Sequence, residues 1–110
     1  MFTEGTQIKK KVDVQSFKVL IKKYSLNSIE CTPHTFFRLS QAQRKVYTCD
    51  ELKNKLTTQA PFLVGLQNNG NYALFYKHQN KNFKMIVRIG DRKVNIVTFY
   101  FIQEWQIPKI

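Results

Sequence analysis

The chain has 110 residues, of which 43% are hydrophobic and 14% aromatic, enough apolar surface for one compact domain. Eighteen lysines and arginines against seven carboxylates give a formal net charge of +11, which favours an anionic partner. The chain has too few glycines, prolines and cysteines for a collagen-like or disulfide-rich scaffold. No apolar run reaches the roughly 20 residues that a membrane span requires. Because no signal-peptide pattern is present either, we expect a cytoplasmic protein without membrane contacts.

The two cysteines, Cys31 and Cys49, lack the close spacing that is typical of metal ligands. In a reducing compartment we expect them to remain thiols and to pack as small hydrophobic residues. His34 and His78 could join them in a zinc site, but neither histidine stands at metal-ligand spacing from a cysteine. The carboxylates form no cluster, apart from one adjacent pair, that magnesium would need. We therefore expect neither a metal nor another cofactor.

Helices are predicted for the first part of the chain, residues 12–60. Before it, residues 1–11 are polar and end in three lysines, which indicates a loose basic arm. Asp13 is a suitable N-cap for a helix that extends to Tyr24, because apolar residues then form one stripe. Proline after Thr32 predicts a short helix over residues 33–40, and Thr48 begins a capping-box pattern for a helix that ends near Thr57.

Strands are predicted for residues 61–103. Three turn signals separate four apolar segments, and they lie at Asn69-Gly70, Asn80-Lys81 and Asp91-Arg92. Three consecutive hairpins indicate an antiparallel meander, with residues 94–102 as a central or near-central strand because they form the longest apolar run. The sequence thus predicts a single α+β domain over residues 1–110, with two or three N-terminal helices packed on one face of a four-stranded antiparallel sheet.

The other sheet face would be free, and the alternation of side chains predicts what it carries. In the last two strands the apolar sets are Phe83, Met85, Val87 and Ile89, and then Val97, Phe99 and Phe101. The opposite face holds Lys84, Arg88, Thr98 and Tyr100, with Lys77 or His78 at the rim. Cations pair with phosphates and aromatic rings stack on bases, so this face suits RNA. A solvated sheet face that binds nothing is the alternative interpretation.

His34 and Arg38 form a second group, four residues apart on one face of the predicted helix. Histidine can act as a general acid or base near neutral pH, and arginine can stabilise negative charge that develops on a phosphorane. Metal-free RNA cleavage requires both functions. The alternative is an ordinary pair on a helix surface.

Three stretches carry a resemblance to a known family. They are His34-Thr-Phe-Phe-Arg38-Leu39, then Arg44-Lys45-Val46-Tyr47 before a helix, and a final strand Val94-Asn-Ile-Val-Thr98-Phe-Tyr100-Phe. Their order resembles the small ribonuclease superfamily of barnase, colicin-type tRNases and RelE-type toxins. It is similar to the branch that opens with a helical His-x-x-x-Arg-Leu and closes with a Val-x-Thr-x-Tyr strand. The resemblance covers residues 29–101.

The resemblance implies a RelE- or barnase-like fold and a metal-independent endoribonuclease of the toxin type. Such an enzyme cuts mRNA or tRNA through the 2′-hydroxyl, on the ribosome or free, and is neutralised by an acidic antitoxin or immunity protein. The implied catalytic residues are His34, Arg38, Thr98 and Tyr100, and the nucleic-acid contacts are Arg44, Lys45, Lys77, Lys84 and Arg88. The alternative functions are a non-catalytic RNA- or DNA-binding protein, viral or plasmid-borne, and a module that meets an acidic protein.

Overall fold

The computed structural model describes residues 7–110, which form one six-stranded sheet and three α-helices. The elements in chain order are β1 Ile8–Val12, α1 Val14–Ile21, β2 Ile29–Cys31, α2 Gln41–Val46, α3 Cys49–Thr58, β3 Leu63–Gln67, β4 Tyr72–His78, β5 Lys81–Ile89 and β6 Val94–Ile102. Short 3-10 helices lie at Leu26–Ser28 and Glu104–Gln106. Across the sheet the strand order is β1-β3-β4-β5-β6-β2.

Strands β3 to β6 form an antiparallel meander, and each predicted turn joins two of them. Gly70 occupies the first turn with φ of 90°, a conformation that glycine adopts without steric cost, and its N–H donates to the Gln67 carbonyl at 3.0 Å. Gln79 takes a positive φ of 56° in the second turn. β6 lies between β5 and β2 and is therefore not an edge strand.

The mixed α+β class holds, but the predicted four-stranded sheet is wrong, because two further strands extend it. β1 was predicted as part of a loose arm, whereas it pairs antiparallel with β3 at one edge. Its lysines are exposed, and only Ile8 and Val12 at its two ends are partly buried. Lysines are usual on edge strands, where one row of backbone groups faces water. The first six residues of the predicted arm lie outside the described residues.

The other added strand, β2, pairs in parallel with β6 over three residues. A segment this short carries no alternating pattern that the sequence could reveal. It matters for function because β2 ends opposite Ile96, while most of β6 still lies ahead of it. The residues that follow β2 therefore run along the outer edge of β6.

The helix predicted over residues 33–40 is also wrong, since these residues form consecutive turns. Backbone N–H groups here donate to carbonyls three residues back, as from Phe37 to His34 at 3.2 Å. The helix instead begins after Ser40, where Ser40 and Gln43 form a reciprocal capping box at the start of α2. Nearer the N-terminus, α1 ends at Ile21 rather than Tyr24, whose hydroxyl donates to the Gly90 carbonyl at 2.5 Å.

Helices α1 and α3 pack on one face of the sheet and enclose the main core. Its fully buried centre comes from every part of the fold and includes Phe17, Leu52, Val64, Leu74, Phe83, Met85, Ile96 and Phe99. Asp13 and Thr48 cap the two helices through side-chain oxygens, as their sequence pattern predicts. Burial of this many apolar side chains, each worth about 1.5–3 kcal/mol, is the main stabilising contribution to the fold.

A smaller apolar cluster lies on the opposite face and includes Leu63, Ala73, Phe75, Ile86 and Ile102. The register of β5 against β6 shifts here, so that Val87 pairs with Ile96 but Ile86 pairs with Thr98. This bulge moves Val97 into the smaller cluster. The prediction that Val97 shares a face with Phe99 is therefore wrong, because one extra residue changes the alternation.

Cys31 and Cys49 form a disulfide with 6.0 Å between their Cα atoms, contrary to the prediction of two free thiols. The bond joins the end of β2 to the first residue of α3, which spacing in the sequence did not indicate. Within the described part of the chain, no helix has the length and apolar character that crossing a membrane would require.

Candidate functional site

A cavity of about 260 Å³ lies on the sheet face that the helices leave uncovered. It extends from the end of β3 across β5 and β6 to the turns that follow β2. Its lining is made of cationic, amide and hydroxyl side chains over an apolar floor, namely Arg38, Gln67, Asn69, Asn71, Lys84, Ile86, Val97, Thr98 and Tyr100. Four predicted site residues, Arg38, Lys84, Thr98 and Tyr100, thus lie together.

The centre of this cavity is a stacked pair. The guanidinium carbon of Arg38 lies 3.7 Å from the centroid of the Tyr100 ring, within the range of a cation–π contact. Among the described residues, no acceptor takes a hydrogen bond from this guanidinium. The stack therefore orients a planar cation while its N–H donors stay open to a ligand.

Lys84 brings a second cation to the same face of the sheet. It pairs with Tyr100 across β5 and β6, so the two side chains project in one direction. Its amine lies 6.0 Å from the Tyr100 ring and 5.7 Å from the Phe75 ring. Two cations thus flank one aromatic ring, without an ion pair to a described carboxylate.

The turns after β2 hold Arg38 in place through a buried threonine. The hydroxyl of Thr35, which is fully buried, donates to the Ile96 carbonyl at 2.6 Å and accepts from the Thr32 N–H at 2.8 Å. The Phe99 N–H donates to the Thr35 carbonyl at 3.1 Å. These bonds attach the turns to the outer edge of β6 beyond the end of β2, and the turns place Arg38 over Tyr100.

His34 occupies a different position from the one that catalysis would need. Its side chain is exposed and packs edge-on against Phe37 at 6.3 Å between ring centroids. It is not among the residues that line the cavity of Arg38 and Tyr100. Because residues 33–40 form turns rather than a helix, the spacing of His34 and Arg38 does not put them on one helical face.

The remaining predicted nucleic-acid contacts are dispersed. The Nε of Arg44 donates to the carbonyls of Phe36 and Leu39 at 3.0 and 3.1 Å, so this side chain supports the turns. Lys45 is exposed on α2, Arg88 is exposed near the far end of β5, and Lys77 lines another cavity beside the β4–β5 turn. The structure brings Lys84, but none of these four, to the Arg38–Tyr100 stack.

Sequence patterns missed the amide side of the cavity. Gln67 and Asn71 are buried, and both belong to the first hairpin, where the Gln67 N–H donates to the Asn71 carbonyl at 2.8 Å. Asparagine is common in turns because of its backbone geometry, so nothing in the sequence indicated that Asn69 and Asn71 would also line a cavity. Carboxamides both donate and accept hydrogen bonds, so they can bind base edges or hydroxyl groups.

The chemistry available in this cavity is recognition of an anion with a flat apolar part. Among the described residues that line it, none is a histidine or a carboxylate. Across residues 7–110, histidine, cysteine and carboxylate side chains do not gather in groups of three or more that could hold a metal ion. Comparison with known protein families, curated protein sequences and solved structures gives no match to this chain.

Proposed function

We propose that this protein binds single-stranded RNA through the cavity of Arg38, Lys84 and Tyr100. The stacked Arg38–Tyr100 pair is the observation that carries the proposal, because its guanidinium presents donors to a phosphate and a flat surface to a base. A net charge of +11 adds a long-range attraction to any polyanion.

Single strands fit the cavity better than duplexes do. Bases in a single strand are free to stack on rings and guanidinium planes, whereas bases in a duplex are already stacked. The hydroxyl of Thr98 and the carboxamide of Asn71, both at the cavity, can donate to and accept from a ribose 2′-hydroxyl. This group is absent from DNA, which favours RNA as the ligand.

The geometry supports binding better than it supports cleavage. Cleavage through the 2′-hydroxyl needs a proton acceptor beside the phosphate, and His34 does not line the cavity. The ribonuclease activity, its acidic antitoxin and the cytoplasmic location stay predictions. The disulfide favours an oxidising setting over the cytoplasm, where such bonds are rare.

The test is fluorescence anisotropy with short labelled oligonucleotides over a series of salt concentrations. We expect single-stranded RNA to bind more tightly than single-stranded DNA or duplex RNA of the same length. Affinity should fall with salt, with a slope of about −0.7 per phosphate contacted. Equal affinity for all three oligonucleotides and for heparin would indicate attraction of polyanions alone and would reject the proposal.

A further inference from the structure

A second cavity, of about 200 Å³, lies on the helix-facing side of the molecule, beside a buried lysine. The lysine is Lys55 of α3, which is 8% exposed, and its amine lies 4.5 Å from the Phe83 ring and 5.5 Å from the Tyr76 ring. Lysines are rarely this buried unless they are paired with an anion or used chemically. Neither the proposed RNA site nor the packing of the core accounts for it.

The polar contacts of this amine are few. It donates one hydrogen bond, at 3.0 Å, to the side-chain oxygen of Gln59. Within the described residues, no carboxylate comes within ion-pair distance of it. The aromatic faces attract the charged ammonium. Two rings and one amide nevertheless stabilise this charge less than the water that solvates a surface lysine.

Burial lowers the pKa of Lys55 below the usual lysine value, and the negative charge of Glu51 on the same helix opposes this shift. Tyr76 cannot compensate the ammonium charge, because burial raises the pKa of its phenol and keeps it neutral. The other titratable side chains that line the cavity are His78 on β4 and Tyr47 before α3. A larger fraction of Lys55 is therefore unprotonated near neutral pH than of a surface lysine.

We propose that Lys55 is the attachment site for a small carbonyl compound, an aldehyde or ketone with an apolar body, that enters this cavity and forms an imine. Tyr47 and Val46 give the cavity apolar lining, and Glu51, Asn54 and His78 give it polar groups. A cavity of about 150 Å³ is enough to hold benzene, so this volume admits a ring of that size.

The reaction balances with the groups at hand. The lone pair of the Lys55 amine attacks the carbonyl carbon, so that a C–N bond forms as the C=O π bond breaks. The oxygen takes up a proton to give the carbinolamine in its N-protonated form. One nitrogen proton then passes to the hydroxyl, the C–O bond breaks with loss of water as the C=N bond forms, and nitrogen releases its last proton to leave the neutral imine. Glu51 and His78 line the same cavity and can deliver and receive these protons. No oxidant or reductant takes part.

The test treats the folded protein with benzaldehyde and cyanoborohydride, which reduces imines to stable amines, and maps the labelled lysines by mass spectrometry. Lys53, on the same helix but outside the cavity, is the internal comparison. We expect Lys55 to be labelled faster than Lys53 at pH 7, because burial lowers the pKa of its amine and the cavity holds the aldehyde beside it. Its rate should saturate with aldehyde concentration, as binding in a cavity requires.

Labelling of Lys55 at or below the rate of Lys53 would overturn the proposal, and so would a rate that rises linearly with aldehyde. The variant Lys55→Arg should lose the saturable labelling, whereas Lys53→Arg should keep it. If Lys55→Arg fails to fold, the site-resolved rates of the unmodified protein decide the question alone. The result is independent of RNA binding, which uses the opposite face of the sheet.

Discussion

The guanidinium carbon of Arg38 lies 3.7 Å from the centroid of the Tyr100 ring, although the two residues are far apart in the sequence. Parallel pairing of β2 with β6 starts this approach, and the buried hydroxyl of Thr35 completes it by bonding the Ile96 carbonyl. A planar cation thus lies over an aromatic ring beside a second cation, Lys84. This arrangement is the basis of the proposed RNA site and of the predictions that follow.

Removal of the stacked cation should weaken RNA binding. We expect Arg38→Ala to reduce affinity about tenfold, or ~1.4 kcal/mol, because both the phosphate donor and the stacking plane are lost. Arg38→Lys keeps the charge but not the plane and should recover only part of the loss. Anisotropy titrations measure both, and Tyr100→Leu should add little to Arg38→Ala if the two residues act as one unit. Full additivity would contradict the stacked pair as the binding element.

The contribution of Lys84 should be electrostatic. We expect Lys84→Gln to weaken RNA binding and to reduce the magnitude of the salt slope by about 0.7, the value for one phosphate contact on a single strand. Lys22→Gln, an exposed change at the residue that follows α1, removes the same charge away from the site and is the matched control. Salt titrations of both variants give the comparison. An equal effect of the two changes would mean that only net charge matters.

Replacement of His34 separates binding from cleavage. We expect His34→Ala to leave RNA affinity within about twofold, because its exposed side chain lies outside the cavity. Incubation of the unmodified protein with labelled RNA in EDTA should leave the RNA intact. Cleavage in EDTA that His34→Ala abolishes would restore the ribonuclease prediction and reject simple binding.

Thr35 should matter for both stability and binding. Thr35→Val keeps the shape of the buried side chain but removes its hydroxyl. This breaks the 2.6 Å bond to the Ile96 carbonyl and leaves the Thr32 N–H with only its longer bond, at 3.1 Å, to that carbonyl. We expect a loss of about 1–3 kcal/mol in the free energy of unfolding and weaker RNA binding, because the turns that hold Arg38 are loosened. Urea unfolding measures the first effect. Thr58→Val, at an exposed helix position, should change stability by less than about 1 kcal/mol.

The disulfide should stabilise the fold by limiting the unfolded chain. Cys31 and Cys49 are separated by 18 residues, for which the loop-closure relation gives about 3 kcal/mol. We expect the urea midpoint to fall on addition of reductant. The double variant Cys31→Ser with Cys49→Ser should begin at the lower midpoint and should not respond to reductant. An identical midpoint with and without reductant would show that the bond contributes nothing to stability.

Local patterns in the sequence determined much of this protein. The capping residues Asp13 and Thr48, the three hairpin turns and the alternation in β5 act over a few residues, so they can be read without knowledge of the fold. They predicted the meander and the positions of α1 and α3. The same alternation placed Lys84 and Tyr100 on the uncovered face.

The rest depended on contacts between distant segments. The edge strand β1 is defined by its partner β3 rather than by its lysine-rich sequence, and β2 is too short to carry a pattern. The bulge at Val97 breaks the period-two rule, and on the other side of β6 the Ile96 carbonyl and the Phe99 N–H bond to Thr35. Because Thr35 pairs with these backbone groups of β6, residues 33–40 form turns instead of the predicted helix. The turns place Arg38, but not His34, at the cavity. Local propensity contains no information on such pairing, because its hydrogen-bond partners are supplied only by the folded chain.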